Sequence, residues 1–152
     1  MHEGKNIINI DESIIHFTEH RNRGWLPAGK HNQVTNSKKL RGVNIITALS
    51  STGQLMFTVN FGMTNSATFS FFLTKLTQHL DGENPKWREH SVIMLDNAPY
   101  HRSAVSVKLM HDLRLPILFL GPYDFHLAPI EMAFCFIKGH DLSTLLPSIN
   151  SK

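Results

Sequence analysis

The feature that most constrains the fold is an unbroken apolar run, Val92–Leu95, which ends in an acidic residue, Asp96. Side chains alternate between the two faces of a sheet, so a strand made only of apolar residues must be covered on both faces. The segment Asn97-Ala98-Pro99 follows and breaks the run. The pattern therefore predicts an α/β protein in which helices cover both faces of a sheet.

The rest of the chain supplies the other elements of this architecture. A leading strand at Ile7–Ile10 runs into Asp11, and two β-rich stretches joined by turn residues predict a hairpin. The other predicted elements are the hairpin strands Val43–Ser50 and Leu55–Phe61, a helix capped by Asn65 or Ser66, a helix from Ser103 to Leu113, a strand at Leu115–Leu120 and a last helix from Pro129 to His140. This order, β-β-β-α-β-α-β-α, predicts a mixed five-stranded sheet flanked by helices.

The composition is typical of one folded domain. The 152 residues are 41% hydrophobic and 18% charged, and no apolar run is long enough to cross a bilayer. The first residues lack the pattern of a signal peptide, and a single cysteine, Cys135, excludes an internal disulfide. We expect Cys135 to be a buried, inert thiol and Phe134 to pack in the core. The chain is expected to be intracellular.

One early segment carries all of the excess positive charge. Between His20 and Gly42 there are six basic residues and no acid, together with an aromatic residue, Trp25. Such a segment either follows a nucleic-acid phosphate backbone or forms a solvated surface loop. The candidate DNA contacts in it are Arg21, Arg23, Trp25, Lys30, Lys38, Lys39 and Arg41.

Three acids stand at positions where α/β proteins place their sites. Asp11 and Asp96 are predicted to close neighbouring strands, and Glu131 lies in the first turn of the last helix. Carboxylates that converge in this way repel each other unless cations lie between them, and Mg²⁺ and Mn²⁺ prefer such oxygen ligands. The alternative is structural, because Asp often forms turns and Glu stabilises the start of a helix.

Three sequence blocks resemble the signatures of mariner-type DDE transposases and their bacterial insertion-sequence relatives. Asn9–Ser13 is similar to the first-aspartate block, and Val92–Ser103 is similar to the second, an apolar strand followed by Asp-Asn-Ala-x-x-His. Pro122-Tyr123 and Pro129-Ile130-Glu131 resemble the third. Thirty-four residues, 97 to 130, separate the second and third acids, a spacing characteristic of one branch of this superfamily.

The resemblance implies an RNase H-like fold and a DNA-cleaving, strand-transferring activity. It implies that Asp11, Asp96 and Glu131 hold two Mg²⁺ or Mn²⁺ ions, and that the partner is DNA at transposon ends and target sites. Asn97 and His101 would brace the second aspartate or touch DNA, whereas the alternative has them organise a turn and open a helix. Lys138, on the same helix face as Glu131, would contact phosphate or stabilise the helix end.

The chain departs from the family pattern in two ways. His126 and Ala128 replace the usual Asp and Asn before Glu131, in the loop that sets the angle of that acid. Only six residues precede the first predicted strand, so we expect the family's N-terminal helix-turn-helix region to be absent from this sequence. The expected partners are a separate helix-turn-helix subunit and a second copy of the chain in a homodimer. The expected location is the nucleus in a eukaryote or the cytoplasm in a bacterium. The alternative functions are an inactive or host-adopted remnant that only binds DNA, and another RNase H-like nuclease.

Overall fold

The computed structural model describes residues 4–16, 42–121 and 129–139 and has a mixed sheet at its centre. The strands are β1 (Asn6–His16), β2 (Gly42–Ser50), β3 (Leu55–Asn60), β4 (Ser91–Leu95) and β5 (Ile117–Phe119). They lie in the order β3-β2-β1-β4-β5. The β1–β2 and β2–β3 pairs are antiparallel, whereas β1–β4 and β4–β5 are parallel. The five-stranded mixed sheet predicted from the element order is confirmed, with the first and fourth strands as neighbours.

Within the described residues four helices accompany the sheet, and the longest begins where the sequence predicts. They are α1 (Ser66–Glu83), α2 (Trp87–His90), α3 (Ala104–Asp112) and α4 (Ile130–Gly139). The Asn65 side chain accepts hydrogen bonds from the first amides of α1, and the hydroxyl of Thr68 accepts one from the Asn65 amide. This capping box satisfies N–H groups that a helix start otherwise leaves unpaired. Ser103 caps α3 by accepting a bond from the Ser106 amide.

The two faces of the sheet bury different partners. On one face, Ile8 and Ile10 of β1 pack with Phe69 and Phe72 of α1 and with Met110 of α3. Burying a side chain of this size stabilises the fold by about 1.5–3 kcal/mol. On the other face α4 covers the sheet, where its Ile130 and Phe134 pack with Ile15, Val43 and Ile45. The sheet therefore separates an α1/α3 side from an α4 side, and successive residues of β1 face them alternately.

Several boundaries differ from the predictions. Asp11 does not close β1, because the strand continues to His16 through antiparallel pairing with β2. The last strand is shorter than predicted, and the short α2 was not predicted at all. Phe134 is buried as expected, but Cys135 is exposed, because the buried face of α4 is formed by residues at positions 130, 134 and 137. Within the described ranges, no helix has the length and hydropathy needed to span a membrane.

Candidate active site

Asp11 and Asp96 emerge together from two parallel strands. The last parallel pair between β1 and β4 is Asn9 with Met94, so each aspartate lies two residues beyond that pair. Asp11 is partly buried, and alternation along β1 directs it to the α4 side, as it does Asn9 and Ile15. Asp96 directly follows β4 and is exposed. The predicted proximity of these two acids therefore follows from the strand order and register.

The third acid reaches the same place on the first turn of α4. Glu131 is exposed and follows Ile130, whose side chain is fully buried under the helix. The backbone N–H of Ile130 donates to the side-chain oxygen of Asn9 at 3.3 Å. Glu131 is thus carried on a helix start that is attached to the same strand as Asp11.

The charges of the other two acids act on Asp11. The pKa of Asp11 rises to about 7, mainly because the carboxyl is buried. A hydrogen bond from the Glu12 amide lowers this pKa, while the charges of Glu12, Glu131 and Asp96 raise it further. Without a cation, Asp11 therefore stays partly protonated at neutral pH, as expected where carboxylates face one another.

The carboxylates of Asp11, Asp96 and Glu131 are suitable ligands for hard divalent cations, although their side chains do not surround a common metal position. In the described ranges, no three His, Cys, Asp or Glu side chains lie together as a ready-made metal site. Carboxylate oxygens are the ligands that Mg²⁺ and Mn²⁺ prefer. A cation would also offset the repulsion that raises the Asp11 pKa. Asp11, Asp96 and Glu131 are the residues that would hold it.

A buried histidine ties Asp96 to the opposite side of the sheet. The His101 ring is fully buried, with Nδ1 2.7 Å from Asp96 Oδ1 and Nε2 3.1 Å from Glu12 Oε1. Burial alone lowers the pKa of His101, but the bonds to Asp96 and Glu12 outweigh it and raise the pKa to about 9. The ring is then an imidazolium at neutral pH and donates a hydrogen bond to each carboxylate.

The residues around this imidazolium reinforce the bridge. The Tyr100 hydroxyl donates to the second oxygen of Glu12 at 2.8 Å. The Phe69 ring lies against His101, with 4.2 Å between the ring centroids. The bond from His101 lowers the pKa of Asp96, so this acid is ionised at neutral pH, where Asp11 is partly protonated. Of the two roles that the sequence left open for His101, these contacts correspond to bracing Asp96.

The other predicted contacts are distributed differently. The exposed Asn97 donates its side-chain N–H to the Leu120 carbonyl and so ties the loop after β4 to the end of β5. Lys138 is exposed in the last turn of α4, two turns beyond Glu131. The basic segment, with Arg21, Arg23, Trp25, Lys30, Lys38, Lys39 and Arg41, lies outside the described residues, as does the altered loop before Pro129.

Three contributors were missed at the level of sequence. Glu12 contacts His101, Tyr100 donates to Glu12, and Asn9 joins β1 to α4. A signal existed for Glu12, because alternation places it on the opposite face from Asp11, where an unpaired acid would be costly. No local pattern indicated Asn9, since its two partners lie 85 and 121 residues away along the chain.

With this fold and site, the chain belongs to the DDE superfamily endonucleases, whose family model matches residues 6–148. Among solved structures it is similar to Mos1 mariner transposase. The Mos1 paired end complex with Mn superimposes with a TM-score of 0.70 at 20% identity, over 90% of this chain and 42% of that one. The structure of the Mos1 catalytic domain and raltegravir with Mg superimposes with a TM-score of 0.66 at 18% identity, over 93% of this chain and 66% of that one.

These likenesses establish an RNase H-like fold. The chain spans 42% of the Mos1 chain in the paired end complex and 66% of the chain in the catalytic-domain structure. No curated protein matches the sequence significantly.

Proposed function

We propose that this chain is a transposase catalytic domain that cleaves DNA at transposon ends and joins the cut end to target DNA. The observation that carries the proposal is the position of Asp11 and Asp96, each two residues beyond the last β1–β4 pair, with Glu131 at the start of α4 and both other acids raising the Asp11 pKa. Membership of the DDE endonuclease family supports it. So does the fold shared with Mos1, whose solved structures include paired end and strand transfer complexes.

The three carboxylates are the residues that would hold two Mg²⁺ or Mn²⁺ ions. Such a pair activates the attacking oxygen and stabilises the leaving oxygen of an in-line phosphoryl displacement. Asp96 is ready for this role, because His101 keeps its carboxylate ionised and oriented. Asp11 releases its proton when it becomes a ligand, so binding is expected to tighten as the pH rises through 7.

Substrate recognition is part of the same proposal. The DNA lies along the exposed side of Asp96 and Glu131, and the basic segment and Lys138 contribute contacts to phosphate. Sequence-specific recognition of the transposon ends comes from a helix-turn-helix region, in the same polypeptide or in a partner subunit, and pairing of two ends requires a homodimer.

A nicking assay tests the proposal with plasmid and pre-cut oligonucleotide substrates in Mn²⁺ or Mg²⁺. We expect metal-dependent nicking by the wild type and a loss of at least about a hundredfold in Asp96→Asn, which keeps the shape of the side chain but removes the anionic ligand. Asp112→Asn is the matched control, because Asp112 is an exposed aspartate at the end of α3, paired with Lys108.

Two outcomes would contradict the proposal. If the chain fused to a helix-turn-helix module binds DNA but gives no Asp96-dependent cleavage, it is a DNA-binding remnant. If it cuts an RNA–DNA hybrid in preference to DNA ends, it is a different RNase H-like nuclease.

A further inference from the structure

Asn9 is a polar residue buried beneath α4 with 2% of its surface exposed. Burying an amide costs free energy unless both its N–H and its C=O groups are hydrogen-bonded. Its side-chain oxygen accepts from the Ile130 amide at 3.3 Å, and its NH₂ donates to the Met94 carbonyl at 3.5 Å. One side chain thus connects three elements, β1, β4 and α4.

The partners of Asn9 are backbone groups that lie one or two residues along the chain from Glu131 and Asp96. Asn9 itself lies two residues before Asp11 on the same strand face, and Met94 lies two residues before Asp96. Ile130 directly precedes Glu131, and its amide belongs to the first turn of α4, where N–H groups have no partner within the helix. Asn9 therefore acts as a cap for α4 that is supplied by a distant strand.

We infer that Asn9 is a positioning residue that fixes Glu131 and Asp96 relative to Asp11. Its consequence for catalysis rests on the proposed function, whereas its structural part does not. Asn is suited to this place because one end of its side chain accepts and the other donates. An aspartate at position 9 keeps the acceptor for the Ile130 amide but loses the NH₂ donor. A leucine there has a similar volume but neither the acceptor nor the donor.

The structural part is tested by amide hydrogen exchange in the metal-free 152-residue chain. In Asn9→Leu we expect exchange at the Ile130 amide to be about tenfold faster, because a buried acceptor is lost. Asn9→Asp should restore protection there to within about threefold, since its carboxylate still accepts. Should Asn9→Leu not fold, Asn9→Ser replaces it, because serine is too short to reach Ile130.

Ser50→Ala is the matched control for these variants. It also removes a side-chain hydrogen bond of a buried residue, from the Ser50 hydroxyl to Asn6 at 2.8 Å, but at the start of β1 and away from the acids. We expect wild-type exchange at Ile130 in this variant. If Asn9→Leu also leaves exchange at Ile130 unchanged, the inference is wrong.

The catalytic part is tested by titrating Mn²⁺ in the nicking assay. For Asn9→Leu we expect the Mn²⁺ concentration at half-maximal rate to rise about tenfold while KM for DNA stays within about twofold, because ligand geometry is altered and DNA contacts are not. Ser50→Ala should match the wild type in both. A change in KM alone would overturn the inference.

The two proposals fail in different ways. Absence of Asp96-dependent nicking in the wild type refutes the proposed function, and the exchange experiment still decides whether Asn9 holds the start of α4. Normal nicking by Asn9→Leu with an unchanged Mn²⁺ requirement refutes the positioning role alone.

Discussion

The imidazolium bridge of His101 should make the stability of the fold depend on pH in the alkaline range. The pKa of His101 rises from 6.5 to about 9 in the folded chain. A raised histidine pKa stabilises the fold fully below pH 6.5, and the contribution is lost as the pH rises through 9. At 1.36 kcal/mol per pKa unit, the bridge contributes about 3 kcal/mol at pH 6 and almost nothing at pH 10.

The perturbation that isolates this contribution is His101→Gln, measured by urea unfolding at intervals from pH 6 to pH 10 in the presence of EDTA. The difference in unfolding free energy between wild type and variant should shrink by about 3 kcal/mol across this range. His111→Gln is the matched control, because 91% of the His111 side chain is exposed, and it should follow the wild type. A difference for His101→Gln that is the same at pH 6 and pH 10 would refute the assignment of a charged bridge.

Three further predictions follow from the described contacts. Asp11→Asn should stabilise the chain by roughly 2 kcal/mol at pH 8 and not at pH 4, because a raised carboxyl pKa costs stability as the pH rises from 3.8 through 7. Urea unfolding at both pH values checks this, and an equal effect at both would contradict it. The same variant should lose the increase in melting temperature that Mn²⁺ gives the wild type, measured by scanning calorimetry with Asp112→Asn as control. Asn65→Ala should cost about 1 kcal/mol in urea unfolding, since it removes the capping box of α1, and no loss would show that the cap contributes nothing.

Much of the fold was predictable because it depends on local patterns. The apolar run before Asp96, the hairpin and the Asn65 cap each report on a few adjacent residues, and the structure confirms all three elements. The length of β1 was not predictable in the same way. Residues 11 to 16 become strand because β2 pairs with them, and the apolar run at positions 7 to 10 carries no sign of that partner.

In the candidate site too, the features that depend on local sequence patterns were predictable and those that depend on distant contacts were not. Asp96 follows a strand end and Glu131 lies at a helix start, as the sequence predicted, whereas Asp11 lies within β1 and not at its end. The contacts that orient these acids were not predicted, because His101 meets Glu12 across 89 residues and Asn9 meets Ile130 across 121. Such contacts follow from how the sheet and helices pack, and sequence spacing does not encode them.

The alternation along β1 has a consequence for how the sequence can vary. Asp11 faces the α4 side and Glu12 the side of His101 and Tyr100, so two adjacent acids point to opposite faces of the sheet, and the His101 bridge to Asp96 joins the two faces. Substitutions at Glu12 should be accompanied by changes at positions 100 and 101, and substitutions at Asp11 by changes at Asp96 and Glu131. Inserting or deleting one residue between Asn9 and Asp11 would exchange the faces of the two acids and disrupt the contacts of both at once.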